Sequence, residues 1–163
     1  MIEIGIKTIG FFIAVFSFSM LINSPKKYLI WAGISGAAAG FIYMICMEAG
    51  WNAVISSFWS ALAAGLISHI FARALKAPVT IFLIGGILPT VPGNGIYQIM
   101  NYVLQNDRSM ASFYLTQTLE IAGAIALAIF LMDTLFKVVR KGEWKQDSLR
   151  YIQKGERKEE EKW

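Results

Sequence analysis

Pro78-Val79-Thr80-Ile81-Phe82-Leu83-Ile84-Gly85-Gly86-Ile87-Leu88-Pro89-Thr90-Val91-Pro92-Gly93-Asn94-Gly95-Ile96-Tyr97-Gln98 opens on a proline, runs apolar for ten residues, and then breaks. The apolar run Val79 to Leu88 is too short to cross a hydrocarbon layer of roughly 30 Å at about 1.5 Å per helical residue. Continuing to Leu104 supplies the length, but then Pro89, Pro92, Gly93 and Gly95 fall near the middle. Each proline lacks a backbone donor and clashes with the carbonyl four residues earlier, so one unbroken helix is not expected. Non-helical backbone at that depth survives only where protein buries it or where it lines a watery cavity. The segment therefore reads as a discontinuous membrane span, 79–104.

Four uninterrupted apolar segments surround it, at about 2–22, 28–47, 53–71 and 113–136. The 163 residues are 56% hydrophobic and only 16% charged, where a soluble domain carries about 25%. The mean hydropathy is +0.52. Between Thr8 and Phe136 the ionisable side chains are Lys26, Lys27, Glu48, His69, Arg73, Lys76, Asp107, Arg108, Glu120 and Asp133, apart from tyrosines and Cys46. A water-soluble helix disperses charge along its outer face, and these segments do not. The expected fold is an all-α integral membrane protein with a five-span domain over 1–137 and a charged tail over 138–163. Pro25 and Pro78 place a proline at helix starts, and Asn52 is a candidate cap for the third span. The first segment reads as a span rather than a cleaved leader, because Glu3 precedes Lys7 and no small-x-small site precedes Pro25.

Charge then sets an expected orientation. The connection after span one holds Lys26 and Lys27, the connection after span three holds Arg73 and Lys76, and nine more basic residues lie from Lys137 onward. Those regions contain thirteen of the fifteen lysines and arginines, leaving Lys7 and Arg108 on the other side. Lys- and Arg-rich short loops stay cytoplasmic, so the N-terminus is expected outside and the C-terminus in the cytoplasm of a multi-pass cell-membrane protein. The net charge of +4 is explained by this topology and does not point to nucleic acid. The tail, with Trp144, Leu149, Tyr151 and Ile152 among charges, reads as a solvated cytoplasmic segment or as a docking helix for a partner or the lipid surface.

The break is the first candidate site. Broken spans offer free amides and a positive helix end to an anionic group near the bilayer midplane, here from about Gly93 to Ile96. Beyond it, Asn94, Gln98, Asn101 and Gln105 recur at helical spacing on one side, and carboxamides both donate and accept without charge. The other reading is a kinked or re-entrant helix whose amides only bond its neighbours. Glu120 is the second candidate, inside the outer end of span five with Thr116 and Gln117 a turn earlier. A carboxylate in the apolar zone is unfavourable by about 2.5–3.5 kcal/mol on insertion scales, and such groups face the bundle interior or water. It is a proton-coupling candidate, or else it reaches headgroups or Arg108 at the outer interface.

Glu3 and Lys7, and Asp133 and Lys137, are four apart and suited to pairing. His69 and Arg73 share a face near the inner end of span three, where a histidine bonds a carbonyl or headgroup more often than it shuttles protons. Ala32, Gly36 and Gly40, and Ala53, Ser57, Ala61 and Gly65, repeat every four residues as stripes for close helix packing, within the chain or against another subunit. A lone cysteine, Cys46, forms no internal disulfide. With no metal-ligand cluster, phosphate-binding loop or nucleophile turn, neither catalysis nor a cofactor or metal is expected.

Five spans, the Leu88-Pro89-Thr90-Val91-Pro92-Gly93 turn followed by Gly95-Ile96-Tyr97, and the basic loop ending in Pro78 resemble the threonine/serine exporter family. The likeness is to its short, separately encoded membrane half, such as the small subunit of the bacterial two-component succinate exporter. It covers nearly all of 1–137 and rests chiefly on Pro89, Pro92, Gly93 and Tyr97. It implies proton-driven efflux of a hydroxy amino acid or dicarboxylate, together with a larger five-span partner subunit. An odd number of spans starting outside suits the second half of an inverted pair. The expected substrate-binding residues are Pro89, Pro92, Gly93, Asn94, Gly95, Tyr97, Gln98 and Asn101. The alternatives are a non-transporting membrane scaffold or a self-sufficient homo-oligomeric channel.

Overall fold

A computed structural model describes the backbone of residues 2–160 and the side chains of residues 3–139. It contains six helices: α1 Ile2–Leu21, α2 Leu29–Glu48, α3 Ala53–Leu75, α4 Val79–Ile87, α5 Gly93–Leu104 and α6 Arg108–Glu160, with single 3-10 turns at Lys26–Tyr28 and Leu88–Thr90. There is no strand among the described residues. α1, α2, α3 and the Arg108–Val139 part of α6 are each long and apolar enough to cross a membrane. α4 with its 3-10 turn and α5 make a fifth such unit, bent by 49° at the break. The chain is therefore a multi-pass helical membrane protein with four spans, or five if the bent pair is one span.

The boundaries depart from those read in the sequence at two places. α3 continues past Phe71 to Leu75, because Arg73 does not interrupt a helix at the edge of the apolar layer. α6 begins at Arg108 rather than near 113, because Asp107 caps it: its Oδ1 accepts from the Met110 amide at 3.1 Å. The backbone of α6 also runs on through the charged segment to Glu160. The side chains of that segment beyond residue 139, including the proposed docking residues, lie outside the described residues. Asn52 caps α3 as expected, its Oδ1 accepting from the Ile55 amide at 2.9 Å.

Four helix exits share one device. After α1, α2, α3 and α5 the chain turns through a left-handed residue, Asn23, Gly50, Lys76 and Asn106 respectively. The amide beyond each reaches back five residues: Ser24 to Ser19, Trp51 to Cys46, Ala77 to Ala72 and Asp107 to Tyr102, all at 3.0–3.1 Å. This closes the last turn and satisfies carbonyls that lipid would leave bare. Such short turns make the successive helices neighbours.

The interior is built from small side chains. Ala32, Ser35, Ala39, Ser56, Ser60, Ala61, Ala64 and Ser68 are all fully buried, while Ile6, Ile9, Ile13, Leu119, Leu127 and Phe130 are exposed. Lipid is as apolar as leucine, so close backbone approach rather than hydrophobic burial drives association. The small-residue stripes serve contacts within the chain. A Cβ on Gly36 would lie 2.9 Å from the Gly85 carbonyl oxygen, and one on Gly86 would lie 2.7 Å from Ser35 Oγ. α4 is thereby wedged between α2 and α3. Its Phe82 is fully buried, edge-on to Tyr28 at 5.7 Å and to Phe71 at 5.9 Å. Ser60 Oγ donates to the Ala39 carbonyl at 2.6 Å and ties α3 to α2. α6 packs on α3 around Ala61, Ile125 and Ala128, and α5 lies against α6, where Tyr102 stacks on Tyr114 at 5.4 Å.

Candidate functional site

The break is a designed turn rather than a frayed helix. Leu88 bonds its amide to the Gly85 carbonyl, which tightens the end of α4 into a 3-10 turn, and Thr90 Oγ1 donates to the Ile87 carbonyl at 2.7 Å. That hydroxyl satisfies a carbonyl that the proline-interrupted ladder leaves over. The Val91 amide closes onto the Leu88 carbonyl at 3.4 Å. Pro92 then sits at φ −76°, ψ 55°, and the Gly93 amide reaches the Val91 carbonyl at 2.7 Å. These are the dihedrals and the bond of an inverse γ-turn, and they redirect the chain into α5. Pro92 has no side-chain acceptor to cap α5, so the next amides, of Asn94 and Gly95, have no intrahelical partner.

The turn faces a cavity of about 280 Å³. Pro89, Thr90, Val91, Pro92, Gly93, Asn94 and Gly95 form one wall. Opposite are Tyr43 of α2, Ala53 and Ser57 of α3, and Tyr114, Gln117, Thr118 and Ile121 of α6. Thr118 Oγ1 is buried and has no hydrogen-bond partner. It lies where a Cβ on Gly95 would collide with it, so a glycine is required for this approach. A buried hydroxyl without a partner is unfavourable by about 1–3 kcal/mol, and in a cavity wall beside free amides it marks a place for a polar ligand atom.

Of the sequence-derived candidates, Pro89, Pro92, Gly93, Asn94 and Gly95 come together around this cavity. Tyr97, Gln98 and Asn101 do not line it. Tyr97 is 66% exposed, and Asn101 Oδ1 accepts from Gln105 Nε2 at 3.0 Å, so the carboxamide stripe bonds partly to itself along α5. Glu120 also lies outside the lining: it is exposed on α6, while the cavity face of that helix is 114, 117, 118 and 121. Thr116, read beside it, donates to the Ser112 carbonyl at 3.1 Å. Tyr43, Ser57, Tyr114 and Thr118 are cavity residues not anticipated from sequence. The spacing of Tyr114, Gln117 and Thr118 was the available signal for the α6 face. Among the described residues no group of three or more His, Cys, Asp or Glu is placed to hold a metal.

A family model described as Threonine/Serine exporter, ThrE, matches residues 7–135, which takes in every helix around the cavity and stops short of the charged segment. No solved structure matches the chain.

Proposed function

The chain belongs to the threonine/serine exporter family, a transporter family, and from that premise we propose that it is the membrane subunit of a secondary exporter of a small hydroxy amino acid or dicarboxylate, coupled to protons and working with a larger partner subunit. The observation that carries this reading is the unwound Leu88–Pro92 turn facing a polar-walled cavity, with the Asn94 and Gly95 amides and Thr118 Oγ1 available to a ligand. A carboxylate suits the amides and the positive end of α5, and Thr118 and Asn94 suit a hydroxyl or a second polar group. The volume is near the lower end of the about 300–1,000 Å³ typical of small-molecule pockets, which favours a solute of few atoms.

In this reading the bent pair is one span of five, the N-terminus is outside, and the C-terminus is cytoplasmic in the cell membrane, as the placement of basic residues requires. Glu120 remains the proton-coupling candidate. Its exposure on a membrane-spanning face supports coupling only within an assembly, where a second subunit covers it.

The test is efflux from proteoliposomes holding this chain with and without its partner, loaded with serine, threonine or succinate under an imposed pH gradient. Uphill efflux of one of these solutes that requires the gradient is the expected result. Asn94→Ala should reduce it several-fold, and Tyr97→Ala, outside the cavity, should leave it near normal. Downhill flux without exchange against a gradient would indicate a channel, and no flux with either composition would indicate a scaffold.

A further inference from the structure

A second cavity, of about 340 Å³, opens at the other end of the α3–α6 contact, bordered by His69, Arg73, Val79, Asp133, Phe136 and Lys137. It lies about 18 Å along α3 from the first, taking Ser57 and His69 as the ends and 1.5 Å per residue. Between them the helices are closed by Ala61, Ile125 and Ala128, and by Gly65 against Met132. His69 Nε2 is 3.3 Å from Asp133 Oδ1, which joins α3 to α6, and Lys137 Nζ is 3.1 Å from Asp133 Oδ2. The His69 ring stacks on Phe136 at 4.2 Å and 10°, and the Arg73 guanidinium lies over the same phenyl ring at 5.7 Å. The two residue pairs that sequence spacing suggested separately, His69 with Arg73 and Asp133 with Lys137, thus form one cluster.

The charges in this cluster do not cancel. Arg73 and Lys137 supply two positive charges and Asp133 one negative charge, with His69 adding a third positive charge when protonated. Val79, the first residue of α4, also borders the cavity, and its cap Pro78 has no side-chain acceptor, so the positive end of α4 points the same way electrostatically. We infer that this cavity is an oxyanion site in which Arg73, Lys137 and His69 receive the carboxylate of the exported solute, with Asp133 as the internal carboxylate that the solute displaces. The solute's identity rests on the exporter reading, whereas the oxyanion chemistry does not. A basic pocket between membrane helices also suits a lipid phosphate, so the two sources must be separated by experiment.

The full chain is placed in nanodiscs of phosphatidylcholine alone, and binding of radiolabelled succinate, serine and threonine is measured in a Thr118→Val background that weakens the other cavity. Saturable binding of at least one is expected. Lys137→Gln, a change at a 71% exposed side chain that leaves the fold intact, should weaken binding by about threefold, the order of an exposed charge contact. Arg73→Gln should weaken it more, and Arg73→Lys should recover part of the loss. Asp133→Asn should tighten binding, because a competing carboxylate is gone; a merely structural ion pair would not produce that sign. No binding, an Asp133→Asn effect of zero or the opposite sign, or occupancy only by phosphate or by added phosphatidylglycerol would overturn the carboxylate site. Binding here without efflux in the proteoliposome assay would leave this site standing and overturn the exporter reading, while normal efflux in Arg73→Gln would overturn this site alone.

Discussion

Thr118 presents an uncommon arrangement: a hydroxyl oxygen buried without a partner, against a glycine, beside backbone amides that a proline turn has left unpaired. Replacing it with valine keeps the shape and removes the unsatisfied oxygen, a change that is neutral or stabilising for a group with no protein partner. If the hydroxyl bonds the solute, Thr118→Val should raise the apparent KM for efflux by about fivefold, the equivalent of one lost hydrogen bond of about 1 kcal/mol. The thermal midpoint in detergent should hold or rise. A lowered midpoint with unchanged KM would show that the hydroxyl serves the fold and not the ligand. Residues such as this one leave little trace in sequence, because a threonine in an apolar helix is common and only its neighbours reveal what its oxygen lacks. Pro89, Pro92, Gly93 and Gly95 are different: the missing donor and the missing Cβ are properties of the residues themselves, so the position of the break was legible before any neighbour was known.

At the scale of the helix, the two prolines hold α4 and α5 apart at 49°. Restoring donors with Pro89→Ala and Pro92→Ala lets the carbonyls of Gly85 and Leu88 regain their partners four residues on, and relieves two clashes that cost about 3 kcal/mol each in a continuous helix. The double variant should straighten the pair, narrow the cavity and abolish most efflux while the protein stays at least as stable. Spin labels at Thr80 and Gln105 would show the end-to-end distance lengthen. Unchanged efflux in a straightened pair would remove the break from the mechanism. α6 shows the opposite degree of legibility. In water the buried face of a helix is marked by polarity, but in lipid both faces are apolar and the buried one is marked by size and by what it meets. The polar residues Thr116 and Glu120 drew attention to one side, whereas packing against α3 and α5 turned Tyr114, Gln117, Thr118 and Ile121 inward. A helix with little internal contrast does not declare its rotation. Its start was hidden for a similar reason, because Asp107 in a short polar turn reads as a loop charge until its bond to the Met110 amide is seen.

For the molecule as a whole, the orientation in the bilayer follows from charge and governs how the two cavities would be used. Thirteen of fifteen basic residues fall in the turn after α1, the turn after α3 and the segment from Lys137 onward. A five-span path puts all three on one side, whereas a path in which α4 and α5 together re-enter without crossing places the α6 end opposite the Lys26–Lys27 turn. Moving so many cations across during insertion is opposed by the positive-inside bias, so the five-span path is the expected one. The cavity of His69, Arg73 and Lys137 then opens toward the cytoplasm and the cavity at the break lies toward the outer half, with the Ala61–Ala128 seam between them. Single cysteines placed in a Cys46→Ser background would test this, since Cys46 is itself buried and Ser is close in size. A membrane-impermeant maleimide should label positions 49 and 106 in intact cells, and positions 24 and 76 only after permeabilisation. Labelling of 106 from the same side as 76 would show that the bent pair re-enters without crossing. Both cavities would then have to be reassigned to the faces that labelling defines, and efflux by alternating access between them would lose its geometric basis.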